Sequence, residues 1–285
     1  MATITAHMSE VLVNNGLADG HTQSTAISAP HPIVGDRLIE GDGTSQDAWQ
    51  NWQGLQRLPR LDIAARFPVH QRVCIFAPHP DDEVLGCGGL LQHLAANGNN
   101  IVIIHVTNGT QSHPDSQLYS PQTLNIIRPQ ESLAALRALG VAGQVSTVAL
   151  GLSDGDVFAQ QAVLQQRLTT IIQPDDILVT PFRYDGHPDH EATGHVVTDF
   201  AKRQGLACYQ ALIWAWHWAK PADRRIPWHC ATRLDLSAKQ LHQKTQAIAC
   251  FKSQITMDKS TGNPPILSAH TIARVSQPWE VYLYE

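Results

Sequence analysis

Residues Phe76 to Gly89 read FAPHPDDEVLGCGG, and about a hundred residues later Asp185 to His195 read DGHPDHEATGH. In the first stretch His79 and Asp82 form an H-x-x-D pair with Asp81 between them; in the second, His187 and His190 flank Asp189. Imidazole and carboxylate groups are the donors of a catalytic zinc-type site, which uses three protein ligands and keeps a fourth position for water. Two histidines and one acid meet that need, leaving Asp81 and a further histidine for proton transfer. Such a surplus suits hydrolysis of an unactivated bond, which needs an activated water, a base for its proton and an acid for the leaving group. Spacing alone does not separate a ligand at His187 with an acid at His190 from the reverse.

Two blander readings of the first stretch compete with a metal site. A proline-stiffened turn into a helix accounts for Asp81, Asp82 and Glu83, because acids complement a helix N-terminus, but it does not call for His79. A nucleotide loop needs G-x-G-x-x-G at the helix start, and Gly86, Gly88 and Gly89 miss that spacing. Those glycines suit close packing of a helix on a sheet instead. Glu83 is left over, to cap the helix or steady the loop.

The surrounding elements place both stretches at strand ends. RVCIFA, IVIIHVT, VSTVALGL, DILVT and ACYQALIWAW read as strands. EVLGCGGLLQHLAANG, IRPQESLAALRALG, GDVFAQQAVLQQRLTTIIQ, DHEATGHVVTDFAKRQG and LSAKQLHQKTQAIACF read as helices, and TIARVS and WEVYLYE as short extended pieces. Alternation of this kind predicts an α/β fold, a Rossmann-like three-layer sandwich with a mostly parallel sheet covered on both faces. Chemistry in such folds sits at the carboxyl ends of the strands, where HPDDE and HPDH fall.

At 285 residues and 43% hydrophobic, the chain can bury a large core. Charged residues make up 16% and the net charge is −5, with no dense Lys/Arg block, so nothing marks a nucleic-acid surface. No apolar run approaches the ~20 residues of a membrane span. The N-terminus lacks a basic segment followed by an apolar one. Five scattered cysteines without short spacings read as reduced thiols, hence a cytoplasmic protein. Residues 1–69 are polar and aperiodic and read as an extension packed on a main domain at 70–285. Trp49 and Trp52, three apart, would share a helical face turned to that body. Oligomeric state has no signature in the sequence.

HPDDE after a strand together with a later HPDH resembles the PIG-L/LmbE-like zinc-dependent deacetylases. TNG at 107–109, RPQE at 128–131, GLSDG at 151–155 and KTQAIACFKSQ at 244–254 extend the resemblance over roughly residues 70 to 285. It implies a Zn²⁺ site, compatible with another divalent metal, held by His79, Asp82 and His190. Asp81 would be the general base. His187 would protonate the leaving amine and stabilise the oxyanion, and Asp189 would orient His187. The implied reaction is hydrolysis of the amide of an N-acyl amino sugar, most simply N-acetyl, or its conjugate; a non-catalytic sugar- or metabolite-binding protein on the same fold is the alternative. Arg128 matches a family arginine near the substrate, with a salt bridge to Glu131 as its competing role. Asn108 and Asp154 are candidates for the cleft lining, with structural turn roles as the competing reading.

The segment IWAWHWAKP, residues 213–221, is not needed for metal hydrolysis. Read as a strand, it sets Trp214, Trp216 and Trp218 on one side and His217 on the other. Trp216 and His217 are substrate-side candidates, as aromatic faces over a sugar ring or aglycone, with a buried aromatic stripe as the competing reading.

Overall fold

The computed structural model describes residues 36–284. Its sheet has seven strands: β1 Arg72–Ala77, β2 Asn100–His105, β3 Val145–Ala149, β4 Ile177–Pro181, β5 Cys208–Ala211, β6 Ala231–Asp235 and β7 Trp279–Tyr284. Their order is β3-β2-β1-β4-β5-β7-β6. The first five strands pair in parallel, and β7 runs antiparallel to both β5 and β6.

The apolar runs are buried on both faces because alternate residues serve different layers. Val73, Ile75 and Ala77 of β1 join Leu90, Leu94, Leu136 and Ile248 on one side. Cys74 and Phe76 join Leu164, Leu168, Val197 and Phe200 on the other. The first layer is built by helices Gly88–Asn97, Pro121–Leu139 and Ala238–Ile248, the second by Gln161–Ile171 and Pro188–Gln204. This is the three-layer α/β sandwich expected from the alternation of strands and helices.

Chain direction fixes where a site can form. After β1 the chain moves outward through β2 and β3, then crosses back to place β4 on the opposite flank of β1. The crevice beyond the carboxyl ends of β1 and β4 is thus the topological switch point. His79 lies two residues past the end of β1, and the DGHPDH turn follows β4.

Several local expectations are corrected. EVLGCGGLLQHLAANG forms two helices, Asp82–Leu85 and Gly88–Asn97, broken at Gly86 and Cys87. The second is capped from afar: the Glu280 carboxylate of β7 accepts from Gly89 N at 2.6 Å and Leu90 N at 2.8 Å. TIARVS is helical within Ala269–Val275, because the Ser268 hydroxyl accepts from Thr271 N and starts a helix that alternation did not reveal. Strand β6 was not foreseen. The IWAWHW segment is not a strand: β5 stops at Ala211 and residues Ala215–Trp218 form one helical turn.

Of the extension expected at 1–69, residues 1–35 lie outside the described residues. Within 36–69, Trp49 is buried, its ring 4.9 Å from Trp216, and its indole donates to the Trp216 carbonyl at 2.9 Å. Phe67 is fully buried in the main core. Among the described residues, no helix is long and apolar enough to cross a membrane, and the five cysteines are free thiols.

Candidate metal centre

The two motif turns bring His79, His187 and His190 together, with candidate donor atoms within 4.8 Å of one another. Their rings lie 4.8 to 5.4 Å apart, centroid to centroid. Asp82 Oδ2 lies 3.3 Å from His79 Nδ1 and 3.2 Å from His190 Nε2. Bonds of about 2.0–2.1 Å at tetrahedral angles separate neighbouring donors by about 3.4 Å, close to both of these Asp82 separations.

The hydrogen-bond partners distinguish the two histidines of the second motif. His190 Nδ1 faces the Asp185 carboxylate at 2.9 Å, so it must carry the proton. Nε2 is fully buried and faces Asp82 Oδ2 at 3.2 Å. Once its proton is lost, that nitrogen offers the kind of lone pair a metal ligand uses, with Nδ1–H held by a carboxylate. His187 is the reverse case. Its Nδ1 accepts from the backbone N–H of Asp189 at 3.2 Å, so the neutral ring carries its proton on Nε2. A protonated Nε2 cannot ligate; it can donate. His190 thus presents Nε2 to Asp82, whereas the neutral His187 presents an Nε2–H. His79 directs Nε2 to Asp154 Oδ1 at 3.1 Å and Asp189 Oδ2 at 3.2 Å, which frees Nδ1 for the metal side.

This arrangement corrects the expected role of Asp189. Its carboxylate accepts from Gly155 N and Val157 N and steadies His79; only its backbone N–H touches His187. Asp154, which also accepts from Gln111 N at 2.6 Å, is a second orienting acid. The second cluster with metal-like spacing, His79 with Asp154 and Asp189, is held by hydrogen bonds.

Asp81 lies between His79 and Asp82 in the chain and is buried. Arg128 donates to Asp81 Oδ2 at 2.9 Å, to the Pro80 carbonyl at 3.1 Å and to the Gly109 carbonyl at 2.9 Å. Glu131 instead accepts from Ser253, so the alternative Arg128–Glu131 salt bridge does not form. Glu83 steadies the turn by accepting from Asp81 N and from the Ser132 hydroxyl. Burial pushes the Asp81 carboxyl up to about 7 against the pull of Arg128. Burial, reinforced by the positive His79 and His190 rings, pushes His187 down to about 3. For His190 burial works downward, but the Asp82 and Asp185 carboxylates outweigh it and hold the ring at about 9. Metal binding at Nε2 requires that proton to leave.

A cavity of about 240 Å³ opens on these groups, lined by His79, Asp81, Asp82, Arg128, Asp154 and His187 among others. Trp214 also lines it, whereas Trp216 and His217 do not. One helical turn in place of a strand sends Trp216 into the cluster with Trp49 and places His217 against Glu40 and Arg274. Asn108 stands outside the lining too, donating to Asn125. Sequence reasoning gave no role to Asp185, the acid nearest to His190 Nδ1. The motif DGHPDH contained it, but the signal was tertiary: its carboxylate also accepts from Ile213 N, Trp214 N and Ala215 N.

Fold and site together define an α/β protein with a histidine–aspartate metal centre at its switch point. Residues 74–201 match the profile of PIG-L, described as GlcNAc-PI de-N-acetylase, the family that the two motifs resemble. A diacetylchitobiose deacetylase of Thermococcus kodakarensis is 28% identical over 156 residues, covering 52% of this chain and 57% of that protein. A 1D-myo-inositol 2-acetamido-2-deoxy-α-D-glucopyranoside deacetylase of Corynebacterium diphtheriae is 25% identical over 224 residues, 64% of this chain and 76% of the relative. The fold is shared with a deacetylase from teicoplanin biosynthesis solved as a crystal structure, with a TM-score of 0.55 and 18% identity over 75% of this chain and 97% of that one.

Proposed function

We propose that this protein is a metal-dependent hydrolase that cleaves the amide of an N-acyl amino sugar, most simply an N-acetyl one, or of its conjugate. The observation that carries the proposal is the convergence of His79, His187 and His190 beside Asp82, with His190 Nε2 facing the Asp82 carboxylate while the neutral His187 carries its proton on Nε2. Both relatives named above are described as deacetylases, one of diacetylchitobiose and the other of an acetamido sugar on inositol. His79, Asp82 and His190 would hold the ion, with Zn²⁺ the best match to the donor set. When bound, it supplies Lewis-acid polarisation of the amide carbonyl and acidifies water.

The protein groups divide the remaining chemistry. Asp81 takes a proton from the attacking water as its oxygen bonds to the carbonyl carbon. Arg128 holds that carboxylate in place. His187 Nε2–H donates to the developing oxyanion. Doubly protonating His187 would break its bond from Asp189 N, so the neutral ring suits oxyanion stabilisation better than proton delivery. The amine then departs with the proton that Asp81 acquired, the carbon–nitrogen bond breaks, and a carboxylic acid remains. The free thiols support a reducing, cytoplasmic setting.

The test is metal analysis of the purified protein together with turnover of N-acetylated sugars before and after chelation. Asp81→Asn is expected to retain metal and lose turnover by about 10²–10⁴-fold. His79→Ala is expected to lose metal. A protein that takes up no divalent metal would refute the proposal. Metal retention without hydrolysis across a broad N-acyl panel would favour a binding protein instead.

A further inference from the structure

The cavity presents two chemically unlike surfaces. Beside the reacting groups it is lined by Leu85, Trp214, Ile266 and Leu267. Leu85 and Leu267 belong to the main core, and Trp214 packs against that core, so the hydrophobic interior surfaces inside the cavity. Ile266 is 40% exposed and carries this apolar wall outward to the rim. The wall is fixed relative to the metal donors: Asp185 Oδ2 accepts from Trp214 N at 2.9 Å and from His190 Nδ1 at 2.9 Å.

The charge of the cavity points the same way. Arg128 is the one arginine among the lining residues, and there is no lysine. Its terminal nitrogens are committed to Asp81 and to the Pro80 and Gly109 carbonyls. Three carboxylates, Asp81, Asp82 and Asp154, line the same space. A divalent ion and Arg128 together only balance those three acids. A phosphate on the substrate would find no uncommitted cation and would lie near carboxylates, an arrangement that discriminates by repulsion.

We infer that the Leu85–Trp214–Ile266–Leu267 wall is the specificity surface, selecting an uncharged N-acyl amino sugar with an apolar aglycone over the same sugar bearing a phosphate. The scissile amide must reach Asp81 and His187, so a wall running out to the rim meets the group on the carrier side of the sugar. This inference rests on the proposed deacylase reading and names its substrate class.

Rates on the zinc-loaded protein test it, comparing 4-nitrophenyl N-acetylglucosaminide, free N-acetylglucosamine and N-acetylglucosamine 1-phosphate. The aryl glycoside is expected to exceed the phosphate in kcat/KM by at least about tenfold, in the range a hydrophobic pocket can supply. Trp214→Ala and the rim variant Ile266→Ser are expected to bring the ratio of aryl glycoside to free sugar toward unity. Equal turnover of the phosphate, or an unchanged ratio in both variants, would overturn the inference. Metal content of each variant checks that the Asp185–His190 pair survives, and Ile266→Ser keeps the test alive should Trp214→Ala not fold. Should no sugar be hydrolysed, calorimetry with 4-nitrophenyl β-glucoside, which has no amide, separates the two ideas. Binding that weakens about tenfold in Trp214→Ala supports the wall even if the hydrolase reading fails; absent or unaltered binding overturns the wall.

Discussion

At the scale of single residues, the decisive information is where each imidazole keeps its proton. His187 and His190 are three apart in one motif, yet the Asp185 carboxylate accepts from Nδ1–H of one ring and the Asp189 backbone N–H donates to Nδ1 of the other. Asp185→Asn is expected to weaken metal affinity by about 10–100-fold, measured by competition with a chelator, because Asn can present its NH₂ and flip the His190 proton to the metal side. Arg128 yields a pH prediction. Asp81 must be ionised to act as base, so the acid limb of kcat/KM follows its pKa. Burial raises that pKa and Arg128 lowers it, so Arg128→Gln is expected to move the limb to higher pH; a limb that stays put or moves lower would contradict the Asp81 assignment. That HPDDE and HPDH carry a metal-type cluster of histidines and aspartates was legible because those groups are contiguous in the chain. The choice between His187 and His190 was not, since it depends on backbone N–H and carboxylate partners that only folding assembles.

At the scale of elements, the strands that bracket the site were readable because β1, β2 and β4 are continuous apolar runs buried on both faces. Errors cluster where tertiary hydrogen bonds override local pattern. Asp185 captures three successive N–H groups just past β5, so the apparent strand of alternating tryptophans becomes a turn, and Trp214 rather than Trp216 reaches the cavity. Glu280 does the same for the broken helix after the first motif. Gly109 shows how tightly a loop can be coupled to the site. It has a positive φ of 61°, and a Cβ there would fall 1.7 Å from Arg128 Nη1. Gly109→Ala is expected to cost about 1–3 kcal/mol of stability and to displace Arg128 from Asp81. Chemical denaturation measures the first effect. A sharp loss of turnover with metal content preserved would report the second.

At the scale of the whole molecule, residues 40–44 are tied to the end of the chain through His217. The His217 ring joins the Glu40 carbonyl at Nε2, 3.0 Å away, and Arg274 at Nδ1, 2.8 Å away; its own carbonyl accepts from Thr44 N. Arg274 in turn donates to the Asp42 and Thr44 carbonyls. His217 therefore folds as the neutral ring, with Nδ1 accepting from a guanidinium. Burial lowers its pKa below the usual 6.5 and Arg274 lowers it further, while Asp42 and the Glu40 carbonyl pull upward. The sign of the linkage follows. Above about pH 6.5 both folded and unfolded chains hold a neutral ring, and this residue adds no slope. As pH falls below that value the unfolded chain takes up the proton before the folded one, so the stabilisation is progressively lost until the folded ring protonates too. Other histidines also titrate in this range, so the informative quantity is a difference. The Tm advantage of the wild-type protein over His217→Gln is expected to be largest at pH 8 and to shrink toward about pH 5. A difference that stays constant across that range would show that His217 contributes packing alone, and that the latch between residues 40–44 and Arg274 does not depend on its protonation.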